Sequence, residues 1–508
     1  MLLKLNKFLL NFLILAGSVN VATLLILANR VVGIIAIKSV SCYNLSLSQP
    51  HYYHKFQDIN MPLTTEQIVL QKRIFNEIDV KLPIEHDDDR YVPIYENLEN
   101  DPIDELKKTI DLFEVESLQF FSGFRGSGKS TELWRLRSKL EAEGCVVLYA
   151  DALEYINPAV PLNIAELLIS IAGAFGDALQ ANLGKDIITE AYWTRLWHYL
   201  NITEVSLSEF GLGTKGGVGV AEVSGNIKVA LKETPSFRQK VQAAMKNRIG
   251  ELKANVDKFI EDGVKNIQSV KGEDIKIVFI FDSLEQIRGS LNDEALVIKS
   301  VEEVFTQNVH LLKLNHLNTI YTVPPWLRFV MTSEDIITLR GIKQWEKNDQ
   351  RTKYDQGNEL LRQVVRKRFK PDGMKLFFGE GDAANNKLDK LVENCGGSLR
   401  LLMRMLTIAM RRVKEVPFTD TLIDGVISEL ENSFIVSVED ARWLNKVAET
   451  RTESLTDNAS SNISKFTRLI DTQLVLYFRN GKDWYDIHPL IRSKVAKIIE
   501  QNPPTEDK

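Results

Sequence analysis

The chain has 508 residues, 44% hydrophobic and 26% charged, which supports about three domains with cores of their own and excludes a disordered, collagen-like or low-complexity protein. With 63 Lys+Arg against 68 Asp+Glu the net charge is −5, which excludes a chain given over as a whole to nucleic-acid backbones and leaves only local contact open. Three cysteines, Cys42, Cys145 and Cys395, are odd in number and far apart, so neither a disulfide framework nor zinc-ligand spacing can be read and a reducing compartment is the default.

The first sixty residues differ from the rest: five Lys/Arg and one acid, Asp58, leave −9 for the remainder. Within them Phe8 to Ala28 runs for 21 uncharged, mostly apolar residues, about the length that crosses ~30 Å of hydrocarbon as a helix. Lys4 and Lys7 precede it and Arg30 and Lys38 follow, so flanking charge does not choose an orientation. Three alternatives stand: a membrane anchor at 8–28, an export signal ending near Cys42, where Ser39 replaces the aliphatic residue of a lipid-attachment motif, or a leader ahead of synthesis that begins at Met61. The chemistry below predicts a cytoplasmic body, tethered to the inner face of a membrane if 8–28 is an anchor.

Gly123-Phe124-Arg125-Gly126-Ser127-Gly128-Lys129-Ser130 is a full match to G-x-x-x-x-G-K-[ST]. Ser117 to Phe121 reads as a short buried strand before it, and Thr131 to Leu140 repeats apolar residues at helical spacing after it. Glycines let successive N–H groups turn inward on an anion, and the helix start adds its positive end. The candidate nucleotide-binding residues are therefore Gly123, Gly126, Ser127, Gly128, Lys129, Ser130 and Thr131. Lys129 is expected to reach the β/γ-phosphates and Ser130 to offer a hydroxyl to Mg2+. A flexible surface loop carrying a lysine is the alternative.

Cys145 to Tyr149 predicts a second core strand ending at Asp151, and Ile164 to Leu179 a helix. Gly211 to Gly217 contains G-x-G-x-x-G, but Ile227, Val229 and Leu231 alternate as in a strand, which predicts a Gly-rich hairpin or loop rather than a dinucleotide site. From Phe237 through Val241, Met245, Ile249, Leu252, Val256, Ile260 and Val264 to Ile267, apolar residues recur about once per turn. One helix of ~31 residues would be ~46 Å long, suited to a stalk or pairing surface for a protein partner or for self-association. Packing along its own domain is the alternative, and Gly250 and Gly263 would weaken a free-standing stalk.

Ile277 to Phe281 is an apolar strand ending in Asp282, placed to hold Mg2+ together with Ser130. Ser283 follows, and Glu285 is the candidate that polarises the attacking water. It can also be read as an acid stabilised in the first turn of a helix.

GFRGSGKST, FIFDSLEQ, YTVPP and CGGSLRLLMRML, in that order, resemble the AAA+/STAND group of P-loop ATPases over about residues 90–490, with an origin-recognition-like core. The resemblance implies ATP and magnesium as ligands. It also implies that Thr322 senses the γ-phosphate and that Arg400, on a lid helix, is a second sensor; a surface arginine on a helix is the alternative for Arg400. By the same resemblance Tyr91 and Val92, in Tyr91 to Leu98, seat the adenine. Arg351, Arg362, Arg366 and Arg368 include a candidate arginine finger or else form a solvated basic face. A transporter-type signature before Asp282 is absent from the sequence.

Near the C-terminus, helical patterns lead to Leu474 to Phe478, an Asn480-Gly481 turn and Trp484 to His488, a hairpin signal after helices. That order predicts a winged helix. Residues 400–508 carry sixteen Lys/Arg and sixteen Asp/Glu, so protein contact is favoured over DNA. His488 reads as a structural histidine. The expected plan is α/β: a parallel-sheet P-loop core over 61–348 with an insertion at about 155–270, a helical lid over 349–430 and a winged-helix-like piece over 431–508. The expected activity is an ATP-driven switch toward a protein partner. A DNA-acting initiator or remodelling ATPase and a non-hydrolysing ATP-bound scaffold are the alternatives.

Overall fold

Five short apolar runs become one parallel sheet: β1 (Ser117–Gly123), β2 (Val146–Asp151), β3 (Ile277–Asp282), β4 (Asn318–Val323) and β5 (Ile336–Leu339), in the order β2-β3-β4-β1-β5. The computed structural model describes residues 63–80, 84–96, 101–184, 199, 228–288, 293–331, 335–348, 350–452, 459–480 and 482–503. The chain divides into two units, Met1–Asn60 and Met61–Lys508. Every element here belongs to the second, and the apolar stretch 8–28 lies outside the described residues.

Every residue of β3 and β4 is buried, as a parallel sheet covered on both faces requires. Alternate residues serve the two faces. Phe120, Leu148, Phe279, Phe281 and Tyr321 point into one apolar layer, while Phe121, Val147, Val278, Ile280 and Ile320 point into the other. Because β4 lies between β1 and β3, the loop after β1 and the acid that ends β3 stand two strand spacings apart, about 10 Å. Both leave the same C-terminal edge of the sheet, where open α/β sheets bind ligands.

The second face is covered by α1 (Thr65–Glu77), α2 (Pro102–Leu112) and α3 (Lys129–Ala142), and by helices from after β5. Thr64 and Gln67 form a reciprocal capping box that starts α1. On the first face lie α4 (Ile164–Leu183), α5 (Pro235–Met245) and α6 (Ile249–Lys271). By length and apolarity α4 could cross a membrane, but it is mostly buried against β2, β3 and α6.

Two expectations for this region are corrected. The predicted 31-residue helix is two, because Arg248 leaves helical geometry at φ −128. The bend lets the stripes of both α5 and α6 face α4, so their apolar residues line the interior of their own domain and do not form a stalk. The expected strand at Val229 and Leu231 is not one either: residues 228–233 are helical, with Val229 52% exposed and Leu231 buried. The glycine run 211–217 lies outside the described residues.

Gly263, read from the sequence as a weakness, is the notch that lets α6 approach α4. A Cβ there would lie 2.5 Å from Phe175 Cε1 and 3.1 Å from Leu179 Cδ2. Gly263→Ala is expected to destabilise the protein by about 1–3 kcal/mol through overpacking, measured by urea unfolding. An unchanged midpoint would show that these helices have room.

α7 (Glu294–Thr306) connects β3 to β4. After β5 come α8 (Asp355–Gly373), a wide turn at Met374–Phe378, α9 (Gly381–Asn394), α10 (Leu399–Arg412) and α11 (Asp420–Ser433). The chain ends in α12 (Val438–Thr450), α13 (Ala459–Asp471), an antiparallel hairpin of β6 (Val475–Asn480) and β7 (Lys482–Ile487), and α14 (Arg492–Gln501). These last elements share an apolar cluster that includes Leu444, Val447, Phe466, Leu469, Tyr485 and Ile491. Buried His488 accepts the Leu490 N–H on Nδ1. Burial, with Arg492 nearby, pushes its pKa down to about 3, so the ring is neutral.

Candidate functional site

The turn from β1 to α3 is built by glycine. Gly126 and Gly128 have φ +82 and +99, a region costly for other residues. A Cβ on Gly126 would lie 2.3 Å from Arg400 Cβ, so the loop also needs glycine there for room. α3 begins at Lys129, directly after the left-handed Gly128, and its free N–H groups face the sheet edge.

A cavity of about 380 Å³ opens at this edge. Its walls include loop residues Arg125 to Ser130, Thr131, Asp282 and Glu285, with Tyr91, Val92 and Ile94, Val364 and Arg368 of α8, and Arg400 and Met403 of α10. Gly123 lies beneath it at the end of β1. The structure thus brings together residues from five separate stretches of sequence.

Lys129 is 4% exposed. Its ammonium donates to the carbonyls of Gly123 (2.9 Å) and Phe124 (3.1 Å) and pairs with Glu285 Oε1 at 3.0 Å. Asp282 is fully buried, and its Oδ1 accepts the Ser283 N–H at 2.7 Å. Its Oδ2 accepts the Tyr149 hydroxyl at 2.6 Å, and Ser130 lines the same cavity. Burial, and after it the Glu285 charge, raises the Asp282 pKa. Tyr149, its own pKa raised by burial and by Asp282, stays protonated and so remains a donor.

Glu285 sits on a short turn, Leu284–Gln286, that follows Ser283 in left-handed geometry at φ 73. It is 8% exposed, and its Oε2 has no hydrogen-bond partner among the described residues. Thr322 does not line the cavity. Its buried hydroxyl accepts the Leu284 N–H at 3.1 Å, so it braces the turn that carries Glu285.

Gly396 and Gly397, at φ 63 and 73, turn the chain tightly before α10. A Cβ on Gly397 would lie 2.2 Å from the Ile342 carbonyl oxygen. Ser398 then caps α10, and the Arg400 N–H donates to the Gly126 carbonyl at 3.3 Å. Burial, followed by the neighbouring Arg125 charge, lowers the Arg400 pKa.

Tyr91 and Val92 are buried beside the cavity, and α8 holds their segment: Lys367 donates to the Tyr91 carbonyl (2.6 Å) and Arg368 to that of Arg90 (3.3 Å). Of the four arginines in the basic stretch, Arg351 pairs with Asp486, Arg362 with Asp389 and Arg366 with Glu359. Only Arg368 reaches the cavity wall. Burial and Arg90 push its pKa down to about 10.

The residues fit a triphosphate and a hard cation. Beyond the glycine turn, the buried Ser127 Oγ and Glu285 Oε2 lack hydrogen-bond partners, and Ser130 and Asp282 supply hard oxygen donors. No cluster of three His, Cys, Asp or Glu suited to a metal occurs among the described residues.

Sequence reasoning missed Tyr149 as a partner of Asp282. The signal was present, a tyrosine near the end of the predicted strand at 145–149, but it points to Asp282 only once β2 is known to pair with β3. Tyr149→Phe is expected to raise the Mg2+ concentration needed for half-maximal nucleotide binding about tenfold, the low end of what an outer-shell partner contributes, with magnesium-free affinity unchanged. Magnesium titration against a fluorescent ATP analogue checks this, and superimposable curves would remove Tyr149 from the site.

Strand, glycine loop, helix and a buried acid two strands away are now in place. The fold is an α/β P-loop core. No protein-family model and no curated protein matches the sequence. Among solved structures the chain is similar to the ORC2 protein of Aeropyrum pernix in ADPNP and ADP complexes, at 12% identity over 85% of this chain and 98% of that one, TM-score 0.31. It is similar to the Walker-type ATPase paby2304 of Pyrococcus abyssi at 12% over 84% and 99%, TM-score 0.36. Similarity also extends to the Aeropyrum pernix ORC1 protein in complex with DNA, at 11% over 82% and 96%, TM-score 0.28. At such values the function must be read from this chain's own residues.

Proposed function

We propose that the protein binds ATP with Mg2+, hydrolyses it, and uses the nucleotide as a switch toward a protein partner. One observation carries this: Lys129, Ser130 and Asp282 converge on a single cavity. In this reading the loop N–H groups and Lys129 bind the phosphates, and Ser130 and Asp282 hold the cation. Bound Mg2+ would neutralise charge on the phosphate oxygens. Glu285 orients the attacking water through the oxygen not paired with Lys129, and Thr322 fixes the turn that carries it. Arg400 meets the phosphates from α10, so that α8–α11 act as a lid whose angle follows the nucleotide. Tyr91 and Val92 flank the base. A cytoplasmic site, where ATP is abundant, suits this chemistry.

α12, α13, the hairpin and α14 have the order of a winged helix. Among its described residues, Arg451 and Arg492 pair with Asp486, Lys465 with Glu439 and Arg468 with Asp440. Together with the even charge count, this supports protein contact over binding to a phosphate backbone. The deciding experiment is the ATPase rate of protein begun at Met61, with and without DNA across a salt series. Turnover indifferent to DNA supports the switch. Stimulation that falls steeply with salt would favour the DNA-acting alternative, and no turnover despite binding would favour the scaffold.

A further inference from the structure

Phe124 is the first variable residue of the glycine loop, yet its ring does not pack on its own sheet. It is 6% exposed and belongs to the apolar cluster of the C-terminal module, with Leu444, Phe466, Leu469 and Tyr485. The next loop residue is held by the same module: Gln473 Nε2 donates to the Arg125 carbonyl at 2.5 Å. Gln473 does so from φ 59, a conformation uncommon outside glycine and kept only where surroundings impose it.

The other loop of the site is tied to the same place. Arg288, three residues after Glu285, pairs through Nε with Asp471 Oδ2 at 2.8 Å. Its Nη2 donates to the Asp471 carbonyl (2.6 Å) and to Oδ1 (2.9 Å). Asp471 ends α13 and Gln473 lies two residues beyond. A single corner of the C-terminal module therefore grips the loop that would cradle phosphate and the turn that carries Glu285. Backbone N–H groups can converge on an anion only if the loop holds its shape, and here two of its variable residues are fixed from outside the sheet.

We infer that the C-terminal end of α13 positions both loops of the nucleotide site through Phe124, Gln473 and Asp471, so that nucleotide affinity and docking of the C-terminal module are linked. This rests on the nucleotide-binding reading above. Linkage is reciprocal: whatever the docked module adds to nucleotide affinity, bound nucleotide returns to docking. Phe124, Gln473 and Asp471 are positioning residues, since they act through the loops.

The test uses the full chain, a fluorescent ATP analogue with Mg2+, and amide hydrogen exchange over residues 466–478. Phe124→Ala is expected to weaken nucleotide binding about tenfold, within the usual range of coupling between sites, and Phe124→Leu, which refills the apolar cluster, to recover most of it. Gln473→Ala should weaken binding about threefold by the same coupling while leaving the unfolding midpoint in place. Nucleotide should slow exchange over 466–478 in the wild type and do so less in Phe124→Ala. Wild-type affinity in both Phe124→Ala and Gln473→Ala, or exchange untouched by bound nucleotide, overturns the linkage. If Phe124→Ala does not fold, Gln473→Ala decides alone. Should the wild type bind no nucleotide, the nucleotide reading falls and takes the linkage with it. Wild-type binding that Lys129→Ala removes, with Phe124→Ala and Gln473→Ala silent, rejects the linkage only.

Discussion

Lys129→Ala is expected to lower affinity for ATP with Mg2+ by about 100-fold or more. The ammonium is buried at the loop and fixed by two carbonyls and Glu285, so little conformational entropy is left to lose on meeting phosphate. Hydrogen bonds to charged groups contribute about 1.5–3 kcal/mol each. Two of them correspond to roughly 3–6 kcal/mol, or at least about 100-fold in affinity. The same change leaves the buried Glu285 carboxylate without its cation, so a lower melting temperature should accompany the loss of binding. Titration of a fluorescent ATP analogue reads the affinity. Undiminished binding in a folded variant would reject the assignment of the cradle.

Glu285→Gln should separate binding from turnover. Glutamine has the same shape and keeps an oxygen to face the Lys129 ammonium at 3.0 Å, so nucleotide affinity should stay near that of the wild type. What is lost is the negative charge and the proton-accepting capacity of the second oxygen, which has no partner among the described residues. General-base assistance typically contributes about 100- to 10,000-fold, so phosphate release at saturating ATP should fall at least about tenfold even if Glu285 carries only part of it. A wild-type rate would move the role elsewhere in the cavity.

The parts of the site that could be read from sequence are those whose chemistry is local. The glycine loop announces itself because backbone geometry forces glycine at Gly126 and Gly128, and Asp282 because an apolar strand ends on it. Arg400 entered only through the resemblance of CGGSLRLLMRML to a lid helix, and the structure adds that glycine is a steric necessity at Gly397 just before it. Properties of assembled elements were not legible. The strand order places Tyr149 beside Asp282 and gives the Thr322 hydroxyl to the Leu284 N–H, and neither follows from spacing along the chain. Periodicity carried the 237–267 helix straight through Arg248, because a helical stripe continues across a bend when both halves face one core. Phe124 occupies a variable position of its motif, so nothing nearby in sequence indicates that it belongs to a cluster formed more than three hundred residues later.

The burial of α4 reaches beyond the finished fold. Its apolar surface is closed by β2 and β3 and, on the remaining side, by α5 and α6, which the ribosome delivers after α4 has emerged. During that interval the nascent chain carries a naked segment as greasy as a bilayer span, open to chaperones, to insertion machinery and to other unfinished copies. The shielding of this segment is thus completed only when residues 249–271 arrive.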